Sequence, residues 1–529
     1  MEVCVRCRFR SDPYPAAVLF DRDGTLIRDV PYNADPRRVE PMPGAREALD
    51  RLRAAGVPVG VVTNQSGVAR GLIGRDELRA VNARVEELLG PFDVWAICEH
   101  GEDDGCDCRK PMPGLILRAA AALGVRPADC VVIGDIGRDM GAAQAAGARG
   151  ILVPTKVTLI AEVLAAPERA GDIAAAVEAA LAPPAPGRRP RVLVARSDSL
   201  GDVLLAGPAV RAVATVADVT LLAGPRGRAA AELLPGADRV IEWAAPWVDA
   251  DPDPVDPAHV DRLVERVRSE EPDAALILTS FHQSPLPMAL LLRLAGVPWI
   301  GAISEDYPGS LLDLRHRVDG DPPESERMLS LAMAAGFPAA GRGLAVRRPL
   351  PDVSGLAGPG YVVVHPGTSA PARAWPREHF ARAVRLLAAE GREVVVTGGA
   401  DERELTAYVA GRDAVDLGGK LDLPELAAVL DGAAAVVVAN TGPAHLAAAV
   451  GAPVVSLFAP TVPAERWAPY GVPRVVLGDQ TAPCAGTRAL TCPVPGHPCL
   501  SSVSPADVVD AVRRIARPVA SPFMEEVTR

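Results

Sequence analysis

Val18-Leu19-Phe20-Asp21-Arg22-Asp23-Gly24-Thr25 is an apolar run that ends on two carboxylates one residue apart. At a strand tip, followed by a tight turn, such a pair offers an oxygen nucleophile with an acid beside it, which is what phosphoryl transfer to an aspartate needs. Three further segments follow in order: Val61-Val62-Thr63-Asn64-Gln65-Ser66-Gly67, Arg109-Lys110-Pro111, and Ile133-Gly134-Asp135 with Asp139. Lysine stands at only three of the 55 basic positions, Lys110, Lys156 and Lys420. A compact ammonium at 110, in a chain that otherwise defaults to guanidinium, is therefore informative. Cys98-x-His100 and Cys106-x-Cys108 come directly before it. Three thiolates and one imidazole make a closed tetrahedral zinc site, and the surrounding Glu102, Asp103, Asp104 and Asp107 argue against a buried apolar role.

A second set of residues lies downstream. Arg196-Ser197-Asp198-Ser199-Leu200-Gly201-Asp202-Val203 follows an apolar run, and Gly201 permits a tight turn close to a ligand. His365-Pro366-Gly367-Thr368 precedes Ala372-Arg373-Ala374-Trp375-Pro376, and Asn440-Thr441-Gly442-Pro443-Ala444-His445 opens a predicted helix. Thr441 is expected to cap that helix with Pro443 in its first turn, so that backbone N–H groups face an anion. Cys484, Cys492, His497 and Cys499 have loose metal-like spacing that fits either a second zinc site or buried or free thiols. Cys4 and Cys7 form a C-x-x-C without a second pair, a weak metal site or plain thiols.

The elements that must position these groups alternate between strand and helix. Strands are expected at 16–20, 57–62, 130–134 and 149–153, with amphipathic helices at 45–55 and 76–89, the second capped by Asp76. Ala182-Pro183-Pro184-Ala185-Pro186-Gly187-Arg188-Arg189-Pro190 can be neither helix nor central strand, and reads as a linker. The pattern restarts at Arg191, with strands at 191–195, 218–222, 239–243 and 274–279, and again at Tyr361, with strands at 361–365, 393–397, 435–439 and 454–458. A hinge is expected near Arg347–Pro351. The domains are thus 1–182, a linker 183–190, then halves 191–348 and 349–529. Alternating strands and helices mean parallel sheets covered on both faces, an α/β protein.

A net charge of −11 and no basic block speak against nucleic-acid binding. No apolar stretch reads as a signal peptide or a membrane span; the uncharged run 432–464 is broken by Asn440, His445 and several Gly and Pro. Nine cysteines fit a reducing compartment, so a cytoplasmic location is expected.

The four segments of the first part, in this order, resemble the haloacid dehalogenase (HAD) superfamily of phosphatases. Thr63–Gly71 and the Cys98/His100/Cys106/Cys108 loop are similar to the D-glycero-D-manno-heptose 1,7-bisphosphate phosphatases; histidinol-phosphate phosphatases share these features. The resemblance spans residues 16 to about 180. It implies a HAD-like Rossmannoid domain in which Asp21 attacks phosphorus and Asp23 serves as acid and then base. Mg²⁺ would sit on Asp21, the carbonyl of Asp23 and Asp135. Thr63, Asn64, Arg109 and Lys110 would hold phosphate or substrate, and Asp139 would orient Lys110 or the metal shell. A structural Zn²⁺ would fix the loop that carries Arg109 and Lys110.

Residues 191 to about 515 resemble the family 9 glycosyltransferases, the heptosyltransferase family, with a GT-B fold of two Rossmann-like domains. The resemblance implies Asp202 as general base and Arg373, Asn440, Thr441, Gly442 and His445 on the nucleotide sugar, in an inverting displacement. Asn440 stands where the family commonly has Asp. The expected function is a bifunctional enzyme of heptose metabolism acting on a sugar bisphosphate and on a nucleotide-sugar donor, with a glycan or lipid-linked acceptor. A nucleotidyl transfer must stand between the two reactions. The alternatives are a histidinol-phosphate phosphatase fused to a transferase of other specificity, and a C-terminal half that only binds nucleotide sugar.

Overall fold

The computed structural model describes residues 14–184, 187–248, 252–358 and 360–518; Cys4 and Cys7 lie outside them. The chain divides into two compact units, Met1–Arg189 and Pro190–Arg529.

The first unit is built on six parallel strands: β1 (Ala17–Phe20), β2 (Val59–Asn64), β3 (Val94–Cys98), β4 (Cys130–Gly134), β5 (Arg149–Leu152) and β6 (Glu168–Arg169). They lie in the order β3-β2-β1-β4-β5-β6. Every residue of β1 is fully buried, because helices cover both faces of the sheet. β2 begins two residues later than the apolar run 57–62 suggests, which carries Thr63 and Asn64 into the strand. The helix expected at 76–89 runs Arg75–Leu89. Asp76 is therefore not its cap. The backbone is still extended at Gly74, whose N–H is taken by the Glu77 carboxylate at 2.7 Å.

The second unit holds two further sheets. One contains β7 (Arg191–Arg196), β8 (Asp218–Ala223), β9 (Arg239–Glu242), β10 (Ala274–Ile277), β11 (Ile300–Ile303) and β12 (Leu314–His316). The other contains β13 (Val362–His365), β14 (Val394–Val396), β15 (Val415–Asp416), β16 (Ala435–Ala439), β17 (Val454–Leu457) and β18 (Arg474–Leu477). Their orders are β12-β11-β10-β7-β8-β9 and β15-β14-β13-β16-β17-β18. Each of the three sheets thus sets its first strand beside its fourth: β1 beside β4, β7 beside β10, β13 beside β16. That is where crossovers switch faces and leave a crevice beyond the carboxyl ends of the strands. The chemistry-bearing segments follow these central strands. Among the described residues no helix is long and apolar enough to cross a membrane.

Candidate active sites

In the first unit Asp21 leaves β1 and its N–H bonds Ile133 O on β4 at 2.9 Å. Asp135 follows β4, and Asp139 lies in the first turn of the helix Gly137–Ala146. Lys110 reaches in from its loop: its Nζ is 2.5 Å from Asp21 Oδ1, 2.5 Å from Asp139 Oδ1 and 3.0 Å from Val62 O. Asp21, Asp135 and Asp139 each present an oxygen within 4.8 Å of the others, all buried. One ammonium cannot balance three buried carboxylates. Burial, with help from Asp139 and Asp23 and against Lys110, pushes Asp21 up to about 7. Burial and the charges of Asp21 and Asp139 push Asp135 up to about 8. Burial opposes the charge on Lys110, but Asp139 and Asp21 outweigh it and raise its pKa. A divalent cation among these oxygens would relieve the repulsion, so the residues fit Mg²⁺. Gly24, at φ +82°, makes room: a Cβ there would stand 2.2 Å from Asp135 Oδ2.

Asp23 is held from two sides. Gln65 Nε2 donates to its Oδ2 at 2.8 Å and to Thr63 Oγ1 at 2.9 Å. Arg22 Nη2 donates to the same carboxylate at 2.9 Å, while its Nη1 is anchored on Asn82 Oδ1 at 2.6 Å. Thr63 is buried beside them. Asn64 is placed differently from the expectation of a group on the substrate. Its amide donates to Lys110 O at 3.2 Å and accepts from Lys110 N–H at 3.1 Å, so both ends hold the backbone of the lysine loop. Arg109 donates to His100 O at 3.4 Å and pairs with Glu102 at 3.3 Å, which lays its guanidinium along the cysteine loop.

That loop gathers its four donors. Cys98 Sγ is 3.5 Å from His100 Nδ1 and 3.8 Å from Cys106 Sγ, and Cys108 Sγ is 3.3 Å from His100 Nδ1. A tetrahedron with Zn–S near 2.3 Å and Zn–N near 2.0–2.1 Å has edges of about 3.8 Å between sulfurs and about 3.5 Å from sulfur to nitrogen. Burial, with the neighbouring thiols Cys108 and Cys106, pushes the Cys98 thiol up to about 12, so a cation must draw off its proton. The set fits Zn²⁺. Cys484, Cys492, His497 and Cys499 behave otherwise. Cys484 and Cys499 stand 3.9 Å apart, but Cys492 Sγ donates to Val494 O at 3.5 Å and His497 Nε2 bonds Ala372 O at 2.9 Å. These four do not converge on one point.

A cleft of about 320 Å³ separates the two sheets of the second unit. Asp198 and Asp202 line it from one half; Arg373, Asn440, Thr441, Gly442 and His445 line it from the other. Asp202 sits in the short helix Leu200–Leu205, which packs closely on the start of the helix Gly442–Ala449, with the His445 ring against Gly201 and Leu200 against Gly442. A Cβ on Gly201 would stand 3.1 Å from Gly442 Cα, and one on Gly442 would stand 2.7 Å from Leu200 Cδ2. Thr441 holds the cap position, but its hydroxyl does not cap; it donates to Ala439 O at 3.5 Å. Asn440 Nδ2 and Oδ1, His445 Nδ1 and Arg373 Nε are buried and unpartnered. Buried polar atoms in this state mark a place that a polar ligand completes. Burial pushes His445 down to about 4, with Arg373 adding to the effect, so its ring is neutral near pH 7. Arg373 also donates to Asn440 O at 3.2 Å.

Gln65, Arg22 and Asn82 also belong to the first site, and Arg196, Ser280, Arg226 and Arg488 to the second; the sequence reading does not name them as site residues. Gln65 and Arg22 adjoin motif residues, and that adjacency is a signal; Arg196 and Ser280 meet across 84 positions, which no local pattern reveals.

Residues 30–147 match the family model of haloacid dehalogenase-like hydrolases, and residues 260–496 match that of glycosyltransferase family 9 (heptosyltransferase). The chain is therefore an enzyme with a HAD-type phosphatase unit and a family 9 glycosyltransferase unit. Over 143 residues it is 39% identical to the D-glycero-beta-D-manno-heptose-1,7-bisphosphate 7-phosphatase of Pseudomonas aeruginosa, covering 26% of this chain and 80% of that relative. The corresponding protein of Bordetella bronchiseptica is 38% identical over 143 residues, with 26% and 80% covered. The solved family 9 glycosyltransferase of Veillonella parvula shares the fold of the second unit at 17% identity and TM-score 0.52, covering 63% of this chain and 98% of that one. Through its first unit the chain belongs to the D-glycero-beta-D-manno-heptose-1,7-bisphosphate 7-phosphatase family.

Proposed function

We propose that the first unit removes the 7-phosphate of D-glycero-D-manno-heptose 1,7-bisphosphate. The observation that carries this is the convergence of Asp21, Lys110, Asp135 and Asp139 at the tips of β1 and β4. An Asp21 oxygen attacks phosphorus, the bond from phosphorus to the sugar oxygen breaks, and Asp23 protonates that oxygen. Asp23 then takes a proton from water, which attacks the aspartyl-phosphate and releases inorganic phosphate. Arg22 and Gln65 keep Asp23 aimed through both steps. Lys110 and Thr63 hold the phosphate oxygens, and Asp139 fixes Lys110. Asp21, the carbonyl of Asp23 and Asp135 would hold Mg²⁺, which supplies neutralisation of the charge on the phosphoryl group. Cys98, His100, Cys106 and Cys108 would hold a structural Zn²⁺ that keeps the loop of Arg109 and Lys110 in shape.

The second unit transfers a sugar with inversion. In this reading residues 191–348 take the acceptor, a glycan or lipid-linked sugar, and 349–529 take the nucleotide sugar. Asp202 removes the acceptor proton, and Arg373 with the first turn of the helix Gly442–Ala449 receives the departing diphosphate. Asn440 and His445 orient the donor. The reading places the protein in the cytoplasm, in keeping with seven described cysteines that are all free thiols.

The test is phosphate release from heptose bisphosphate against histidinol phosphate. Faster turnover of histidinol phosphate overturns the substrate assignment. Asp21→Asn abolishes phosphate release and leaves transfer intact; Asp202→Asn does the reverse, and a second unit that only binds nucleotide sugar would be indifferent to it.

A further inference from the structure

Arg196 ends β7 and is fully buried. Its Nη1 donates to Leu278 O at 3.0 Å and its Nη2 to Ser280 Oγ at 2.9 Å, both just past β10. The guanidinium thus spans the crevice between the central strands β7 and β10. From there it faces two carboxylates of the cleft. Nη2 donates to Asp202 Oδ1 at 3.1 Å, and Nε stands 3.2 Å from Asp198 Oδ2. The two are not equally dependent on it. Asp198 also accepts from Gln283 Nε2 at 2.5 Å, whereas among the described residues Arg196 is the one hydrogen-bond donor to the Asp202 side chain. Asp202 is still 22% exposed, so its free edge remains open to the cleft.

We propose that Arg196 is a positioning residue for glycosyl transfer: it orients the Asp202 carboxylate toward the cleft and keeps it charged, with Asp198 as a competitor for the same guanidinium. The proposal rests on the reading of Asp202 as the base. Only a planar fork reaches a carbonyl, a hydroxyl and two carboxylates at once; an ammonium on a flexible stem does not. The surroundings of Asp202 make such a device necessary. Asp198 from the preceding loop and Glu324 from the helix Glu324–Ala334 face it with like charge, Arg373 faces it from the other half, and His445 beside Gly201 is neutral near pH 7. Burial pushes Asp202 up to about 6; Arg196 pulls it down, and Asp198 and Glu324 push it up.

A base works only when deprotonated, so transfer fails as pH falls through the Asp202 titration. Arg196→Met removes the downward pull and moves that titration to higher pH. Asp198→Asn removes an upward push, frees the guanidinium for Asp202, and moves it to lower pH. Arg196→Lys keeps a positive charge but loses the fork, so it falls between the parent and Arg196→Met. The measurement is the carboxyl ¹³C titration of Asp202 in the full-length protein labelled with ¹³C-aspartate, the resonance being assigned by its loss in Asp202→Asn. The expected result is opposite displacements, each about tenfold in proton affinity. Release of nucleoside diphosphate from a nucleoside-diphosphate heptose, with water as acceptor, gives the parallel rate profile, with kcat lowered about 10²-fold in Arg196→Met. An unmoved Asp202 titration in a folded Arg196→Met protein overturns the proposal. If that variant does not fold, an unmoved or upward titration in Asp198→Asn overturns it equally. Opposite displacements in a protein whose Asp202→Asn variant still turns over donor at the parent rate uphold the ion-pair geometry and overturn the base reading instead.

Discussion

Two segments of this chain carry three cysteines and one histidine, and they come to different ends. In 98–108 the sulfurs and the imidazole face one another at 3.3–3.8 Å. In 484–499 two thiols enter the apolar core beside Trp375 and Leu500, a third points at a carbonyl, and the histidine is committed to Ala372 O. Ligand types and rough spacing are alike, and both segments send two cysteines into an apolar cluster, Cys98 and Cys108 lying with Leu19, Val62 and Leu115. In the first loop His100 and Cys106 turn in to meet the buried pair. The second segment has Ala482, Val494, Leu500 and Val503 to pack, and its cysteines serve as small apolar side chains. A set of ligands becomes a site where all four face one another, and not where the third and fourth are committed to carbonyls.

The largest expected effect lies in the first segment. Cys106→Ser abolishes zinc retention and unfolds the loop, since structural zinc binding contributes on the order of 10–16 kcal/mol in small domains. Elemental analysis should find one zinc per parent chain and none in the variant; two per parent chain would break the contrast. Next, a protein stripped by a strong chelator and resupplied with Mg²⁺ alone should lose phosphate release and keep sugar transfer. Equal loss of both would mean that the second segment also depends on metal. Cys499→Ala leaves a small core void and should cost about 1–2 kcal/mol, read as a lowered Tm with zinc content unchanged. His497→Ala removes one hydrogen bond to Ala372 and should cost about 1 kcal/mol. The least effect is expected from Cys492→Ser, within about 0.5 kcal/mol of the parent by denaturant unfolding.

The sequence made the three-layer α/β architecture legible because each central strand is an apolar run ended by a polar, turn-forming residue, as at Phe20–Asp21 and Ala439–Asn440. The candidate site groups adjacent to those ends were legible for the same reason. Groups defined by distant partners were not. Gln65 reaches Asp23 across 42 positions and Arg196 reaches Leu278 across 82, and neither residue type announces this. The capping expectations failed more locally. A carboxylate at Asp76 or a hydroxyl at Thr441 can cap only if the backbone turns at that residue and the side chain has no nearer partner. The helix has already begun at Arg75 in one case, and Ala439 O takes the hydroxyl in the other.

The glycine contact between the starts of helices Leu200–Leu205 and Gly442–Ala449 has a mechanical consequence. Gly201 lies against the His445 ring and Gly442 against Leu200, so the two halves of the second unit meet closely here. A β-carbon at either position would press these groups apart and shift the His445 ring against the helix that carries Asp202.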